Sequence, residues 1–127
     1  MTCPLFITRV SAGFPSPADD YLDENLNLHE YLVQRPAATF FLRAAGDSMA
    51  GIGIQDGDLL VVDRSLTARP GAVVIAALDG DLTVKRLERR GGAMVLAAAN
   101  ERYPPIPLNG CDDLVIWGVV VYAIHAL

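Results

Sequence analysis

Apolar and polar positions follow no period through the first twenty or so residues; a rhythm begins near Asn27. Asn27-Leu28-His29-Glu30 reads as a helix start, with Asn27 as cap and Glu30 three residues on. Pro36 lies shortly beyond and keeps that helix short. From Thr39 the pattern turns to strands. Thr39-Phe40-Phe41-Leu42 is one and Leu59-Leu60-Val61-Val62 another, each bounded by Gly or Asp. Ala72 to Leu78 and Leu82 to Leu87 flank Asp79-Gly80, a strong tight-hairpin signal. Met94 to Ala98 and Leu114 to Ile124 supply further strands, the last long enough to bend at Gly118. One short helix followed by these strands predicts a mainly-β domain, with a partly closed barrel as its architecture.

Two stretches depart from simple alternation. Ser11-Ala12-Gly13-Phe14-Pro15-Ser16-Pro17 joins small residues to two prolines, so an extended, exposed segment is expected. Leu114 to Ile124 holds more apolar residues than one sheet face buries. Pairing with its twin in a homodimer, or burial on both faces as a central strand, would each account for it. No internal repeat or low-complexity segment is present, and no domain boundary is expected beyond an N-terminal arm.

Composition narrows the picture. A chain of 127 residues is the size of one domain, and 52% hydrophobic with 20% charged residues argues against disorder. No run approaches the ~20 apolar residues of a membrane span. The start, Met1-Thr2-Cys3-Pro4-Leu5, lacks the features of a secretory signal, which points to the cytoplasm. Cys3, Cys111, His29 and His125 are isolated, spaced neither as a disulfide framework nor as a metal site, and no cofactor is implied. The net charge of -5 speaks against direct nucleic-acid binding. The basic cluster Lys85-Arg86 with Arg89-Arg90 reads as a solvated strand end, so any role with nucleic acid should run through a protein partner.

Two residues carry candidate chemistry. Ser48 sits in Gly46-Asp47-Ser48-Met49, with Gly51, Gly53 and Gly57 close by. Such glycines allow the sharp turn and converging N–H groups of an oxyanion hole, though serines in such turns also serve structure alone. In Leu82-Thr83-Val84-Lys85-Arg86-Leu87, alternation puts Lys85 on the face of Thr83 and Leu87. If Leu87 points inward, so does Lys85, and an inward lysine is costly without a purpose. A snorkelling or edge-strand lysine is the alternative. A Ser-Lys pair can replace Ser-His-Asp, provided the lysine is neutral; burial lowers its pKa toward that state.

Taken in order, Gly13-Phe14-Pro15-Ser16-Pro17-Ala18, Gly46-Asp47-Ser48-Met49, Gly57-Asp58-Leu59-Leu60-Val61-Val62-Asp63 and Leu82-Thr83-Val84-Lys85 resemble the UmuD-like proteins. These are self-cleaving accessory subunits of an error-prone polymerase in the SOS response, within the wider LexA/UmuD self-cleaving peptidase family. The resemblance runs from about Gly13 to the C-terminus. It implies Ser48 as nucleophile, Lys85 as general base, the N–H groups of Asp47 and Ser48 as oxyanion hole, and Ala12-Gly13 as scissile bond. Residues 1–12 would then be a cleavable arm and 13–127 the peptidase and polymerase-accessory domain. As the segment docks like an added strand, Phe14 would either anchor in a pocket beside the site or make only a nonspecific contact. The resemblance also implies stimulation by RecA filaments on single-stranded DNA, a homodimer, and a UmuC-like polymerase partner. The arm before Ala12 is shorter than in the best-known relatives. The absence of a helix-turn-helix segment favours the mutagenesis subunit over a repressor.

Overall fold

A computed structural model describes residues 1–6, 9–10, 12–14, 22–100, 102–108 and 114–127. Packing separates it into two units, Met1–Gln34 and Arg35–Leu127. In the first, β1 (Cys3–Phe6) pairs antiparallel with β2 (Leu22–Leu26), with a register shift between Leu5 and Phe6. Neither strand was evident in the sequence. All four residues of β1 are exposed, so no buried face imposes an alternation. The helix α1 (Leu28–Leu32) starts as expected: the Glu30 N–H donates to Asn27 Oδ1 at 3.2 Å, which satisfies one of the donors left open at a helix start. Ala12, Gly13 and Phe14 are exposed, as anticipated, but they bend instead of running extended. Ser11 and Pro15–Pro17 of the same segment lie outside the described residues.

The second unit is a single antiparallel sheet. Its strands are β3 (Thr39–Arg43), β4 (Leu59–Asp63), β5 (Val73–Leu78), β6 (Asp81–Arg90), β7 (Ala93–Ala97), β8 (Ile106–Pro107) and β9 (Leu114–Ile124). Their order across the sheet is β3-β4-β9-β5-β6-β7-β8, and it curls without closing into a barrel. The mainly-β, partly closed expectation holds. The β5–β6 turn is the anticipated hairpin: Asp79 and Gly80 have φ of 51° and 85°, the two positive values of a turn whose twist matches its strands.

Strand β9 lies inside the sheet, hydrogen-bonded to β4 on one edge and β5 on the other. Each neighbour covers about half of its edge: β4 pairs with residues 119–124 and β5 with residues 114–119. Most of β9 is only half-buried, so its apolar excess does not come from burial on both faces. It does bend where expected. Ile75 pairs with Gly118 and Ala76 with Ile116, leaving Trp117 as the extra residue of a bulge. A Cβ on Gly118 would stand 2.6 Å from Val62 Cγ1, so only glycine allows this approach of β9 to β4.

Strand β5 serves two cores through its alternation. Ile75 joins Met49, Ile54, Leu60 and Val62, whereas Val74 and Ala76 join Leu87 and Leu96. Full burial of each such aliphatic side chain stabilises the fold by about 1.5–3 kcal/mol. Ser48 precedes Met49 of the first cluster, and Lys85 shares its strand with Leu87 of the second.

Candidate active site

Ser48 belongs to the connection from β3 to β4. The base of that connection is closed by paired backbone bonds, Ala44 N–H to the Asp58 carbonyl and Gly57 N–H to the Ala44 carbonyl, both 2.8 Å. Gly46 turns the chain with φ 87°, and its N–H donates to Asp56 Oδ1 at 2.8 Å. Met49 plugs the core with 2% exposure, and its carbonyl accepts the N–H groups of Ile52 and Ile54. The residue next to Ser48 is therefore rigidly seated, which holds Ser48 half-buried at the surface of the core.

Lys85, the only lysine in the chain, comes from β6, opposite Val74 of β5. Lys85 is 7% exposed and Leu87 4%, so the inward lysine expected from alternation is present. Its Nζ donates to Ser48 Oγ at 3.2 Å. Burial pushes the Lys85 pKa below the ordinary lysine range. No carboxylate among the described residues pairs with it to oppose that effect. The neighbouring arginines differ: Arg86 and Arg90 both pair with Glu88, as a solvated strand end would.

The connection from β7 to β8 forms a third wall that sequence reasoning missed. The Ala99 carbonyl accepts the Gly51 N–H at 3.0 Å, and Asn100 Nδ2 donates to the Asp47 carbonyl at 3.3 Å. The Tyr103 hydroxyl donates to Asp47 Oδ1 at 2.9 Å, while its ring centroid lies 5.5 Å from Lys85 Nζ. A Cβ on Gly51 would fall 2.2 Å from the Ala99 oxygen, so the two connections touch where only glycine fits. None of this pairing leaves a period in the sequence. The density of glycines after Ser48 was its one available signal.

The Asp47–Ser48 peptide is oriented by the same wall. Its carbonyl accepts from both Asn100 and the Ala50 N–H. Because a trans peptide sets C=O and N–H on opposite sides, the Ser48 N–H is turned away from those donors. Neither this N–H nor that of Asp47 has an acceptor among the described residues. Beside Ser48 opens a cleft of about 220 Å³ lined by Leu42, Arg43, Ala44, Ala45, Leu60, Ile75, Leu82, Thr83 and Val84, a largely aliphatic wall with a polar share.

Ala12 and Gly13 belong to the first unit, while Asp47, Ser48 and Lys85 belong to the second. The buried acids Asp58 and Asp63 are tied into hydrogen bonds away from Ser48. Asp58 accepts from the Gln55 N–H at 2.8 Å and lies 2.7 Å from His125 Nδ1; these contacts hold its carboxyl below the usual range against its desolvation. Burial raises the Asp63 pKa, but hydrogen bonds from Ser65 and then Arg35 outweigh it and lower the carboxyl overall. Among the described residues no three His, Cys, Asp or Glu side chains cluster as a metal site, and no helix is long and apolar enough to cross a membrane. Cys111 lies outside the described residues.

Comparison with known proteins gives this geometry a context. The family model described as Peptidase S24-like matches residues 4–121. Protein SamA of Salmonella typhimurium is 48% identical over 124 residues, which cover 98% of this chain and 86% of SamA. Protein MucA of Escherichia coli is 47% identical over 122 residues, covering 95% and 83% of the two chains. The LexA repressor of Shewanella frigidimarina is 43% identical over 120 residues, 94% of this chain and 58% of that repressor.

Proposed function

The chain belongs to the Peptidase S24-like family, and from that premise we propose that it is a self-cleaving serine peptidase that cuts its own Ala12–Gly13 bond. The observation that carries the reading is the buried amine of Lys85, 3.2 Å from the Ser48 hydroxyl. Neutral Lys85 takes the hydroxyl proton as Ser48 Oγ attacks the Ala12 carbonyl carbon. The N–H groups of Asp47 and Ser48 face the oxyanion that forms. Lys85 then returns the proton to the Gly13 nitrogen as the peptide C–N bond breaks. Water, deprotonated by the same amine, hydrolyses the Ser48 ester and frees residues 1–12.

The lysine must be neutral for the first step, and an ordinary lysine near pKa 10.4 is neutral only about four parts in ten thousand at pH 7. Burial without a carboxylate partner enlarges that fraction. The resting rate is slow, and an activator acts by populating the engaged state of the cleavage segment. The UmuD-like resemblance supplies that activator as a RecA filament on single-stranded DNA. The trimmed form, residues 13–127, then acts as a homodimeric accessory subunit of a UmuC-like error-prone polymerase.

The reading is tested by incubating the protein and its Ser48→Ala variant with RecA filaments on single-stranded DNA. Release of residues 1–12 from the first alone, faster than without filament, is the expected result. Equal rates with and without filament would remove RecA from the account, and release from the variant would remove Ser48.

A further inference from the structure

We propose that Tyr103 is a positioning residue of this site: its hydroxyl holds the Asp47 carboxylate off Lys85 and so keeps the base free of an acidic partner. The inference deepens the function proposed above and rests on Lys85 acting as that base. Asp47 immediately precedes Ser48, whose Oγ is the hydrogen-bond partner of Lys85. A carboxylate one residue from the hydroxyl that a buried amine contacts is a candidate ion-pair partner for it, and such a pair would hold the amine charged and unable to accept a proton. Instead the carboxylate is bound at 2.9 Å by Tyr103 of the connection after β7, whose ring centroid lies 5.5 Å from Nζ. The hydroxyl pays for its own position in chemistry that shows: acceptance by Asp47 holds the Tyr103 proton more tightly than usual.

The surroundings leave Asp47 as the relevant acid. Strands β5 and β7, which flank β6, carry no titratable side chain. On β6 itself Asp81 and Arg89 share the Lys85 face but lie four residues away, both exposed, while Glu88 is engaged by Arg86 and Arg90. The connection after β7 brings Tyr103 and the cation of Arg102, with Glu101 outside the described residues. Tyr103 is itself fixed by its N–H, which donates to the Asn100 carbonyl at 3.1 Å, and Asn100 in turn holds the Asp47 carbonyl. Both ends of Asp47 are thus tied to one short connection.

Because Lys85 is the only lysine, protein labelled with ¹³C at lysine Cε gives one side-chain resonance, whose pH midpoint reads this amine directly. Tyr103→Phe keeps the ring and deletes only the hydroxyl. It should move the midpoint upward by roughly half a pH unit or more, as the freed carboxylate turns to the amine. Adding Asp47→Asn should abolish that shift. An unchanged midpoint in Tyr103→Phe, or a shift that persists with Asp47→Asn, overturns the proposal. The self-cleavage pH profile, measured on the same proteins, separates the two levels of inference. If the amine shifts as described while the cleavage profile stays in place, Tyr103 does hold Asp47, and it is Lys85 as general base that fails.

Discussion

Lys85 Nζ and Ser48 Oγ meet at 3.2 Å across 37 residues of chain, one presented by the middle of a strand and the other by a turn seated on Met49. The strand fixes the amine through alternation, and the plug fixes the hydroxyl. Neither side chain depends on a flexible segment for its position, so substitutions should change chemistry with little change of fold.

Lys85→Ala should therefore lower self-cleavage by at least about a thousandfold, the scale seen when a base is removed from a nucleophile–base pair. Stability should change by no more than about 1 kcal/mol, since loss of aliphatic packing is offset by removal of an unpaired buried charge. Intact mass and thermal unfolding of the same sample check both halves. Retained cleavage would take the role of base away from Lys85.

The depressed Lys85 pKa has two consequences with opposite readouts. Cleavage should rise about tenfold per pH unit below that pKa and level off above it, because only the neutral amine reacts. For stability, the unfolded chain binds more protons than the folded one between the depressed folded pKa and the ordinary lysine value. The Lys85 contribution to stability should accordingly increase with pH across that window and be flat below it. Comparison of wild type with Lys85→Met by denaturant titration at several pH values isolates this slope.

Gly51→Ala should damage the site more than the surface position of Gly51 suggests. The added Cβ would meet the Ala99 oxygen at 2.2 Å, so the connections after β3 and β7 must part. A loss of about 1–3 kcal/mol is expected for such overpacking. Cleavage should fall at least tenfold further than in Gly53→Ala, whose Cβ would meet nothing within 4 Å and whose cost comes only from its left-handed φ of 87°. Equal cleavage in the two variants would mean that the contact with Ala99 does not shape the site.

Much of this was readable from the residues. Strands β3 to β7 and β9 announced themselves by apolar runs between turn signals, and Asp79-Gly80 located the hairpin that sets the register of β6. Alternation with Leu87 along that strand is why the inward direction of Lys85 could be inferred. What escaped depends on pairing between distant segments. Strand β1 meets β2 through exposed backbone without a buried face, and β8 is two residues long. Asn100 and Tyr103 reach Asp47 across more than fifty positions, a relationship that alternation within one strand does not encode. The interior place of β9 was likewise a matter of topology, because an apolar run looks the same at an edge as between two neighbours.

Asp58 offers a control away from the chemistry. Its lowered pKa means that its contribution to stability is present above the ordinary carboxylate value and lost as pH falls through the lower folded one. Asp58→Asn should be less stable than wild type at neutral pH, because the Gln55 N–H and His125 lose an anionic partner. The gap should close toward low pH, where the wild-type carboxyl is protonated as well. A gap that stays constant from neutral to acid conditions would show that the charge of Asp58 is immaterial.

The most direct measurement follows the intact mass of the purified protein at neutral and alkaline pH, with Ser48→Ala in parallel. Loss of the segment Met1 to Ala12, faster at high pH and absent from the variant, is the predicted result. It would assign the bond, the nucleophile and a titrating base in one experiment. Cleavage at any other bond, or the same loss from Ser48→Ala, would contradict the account.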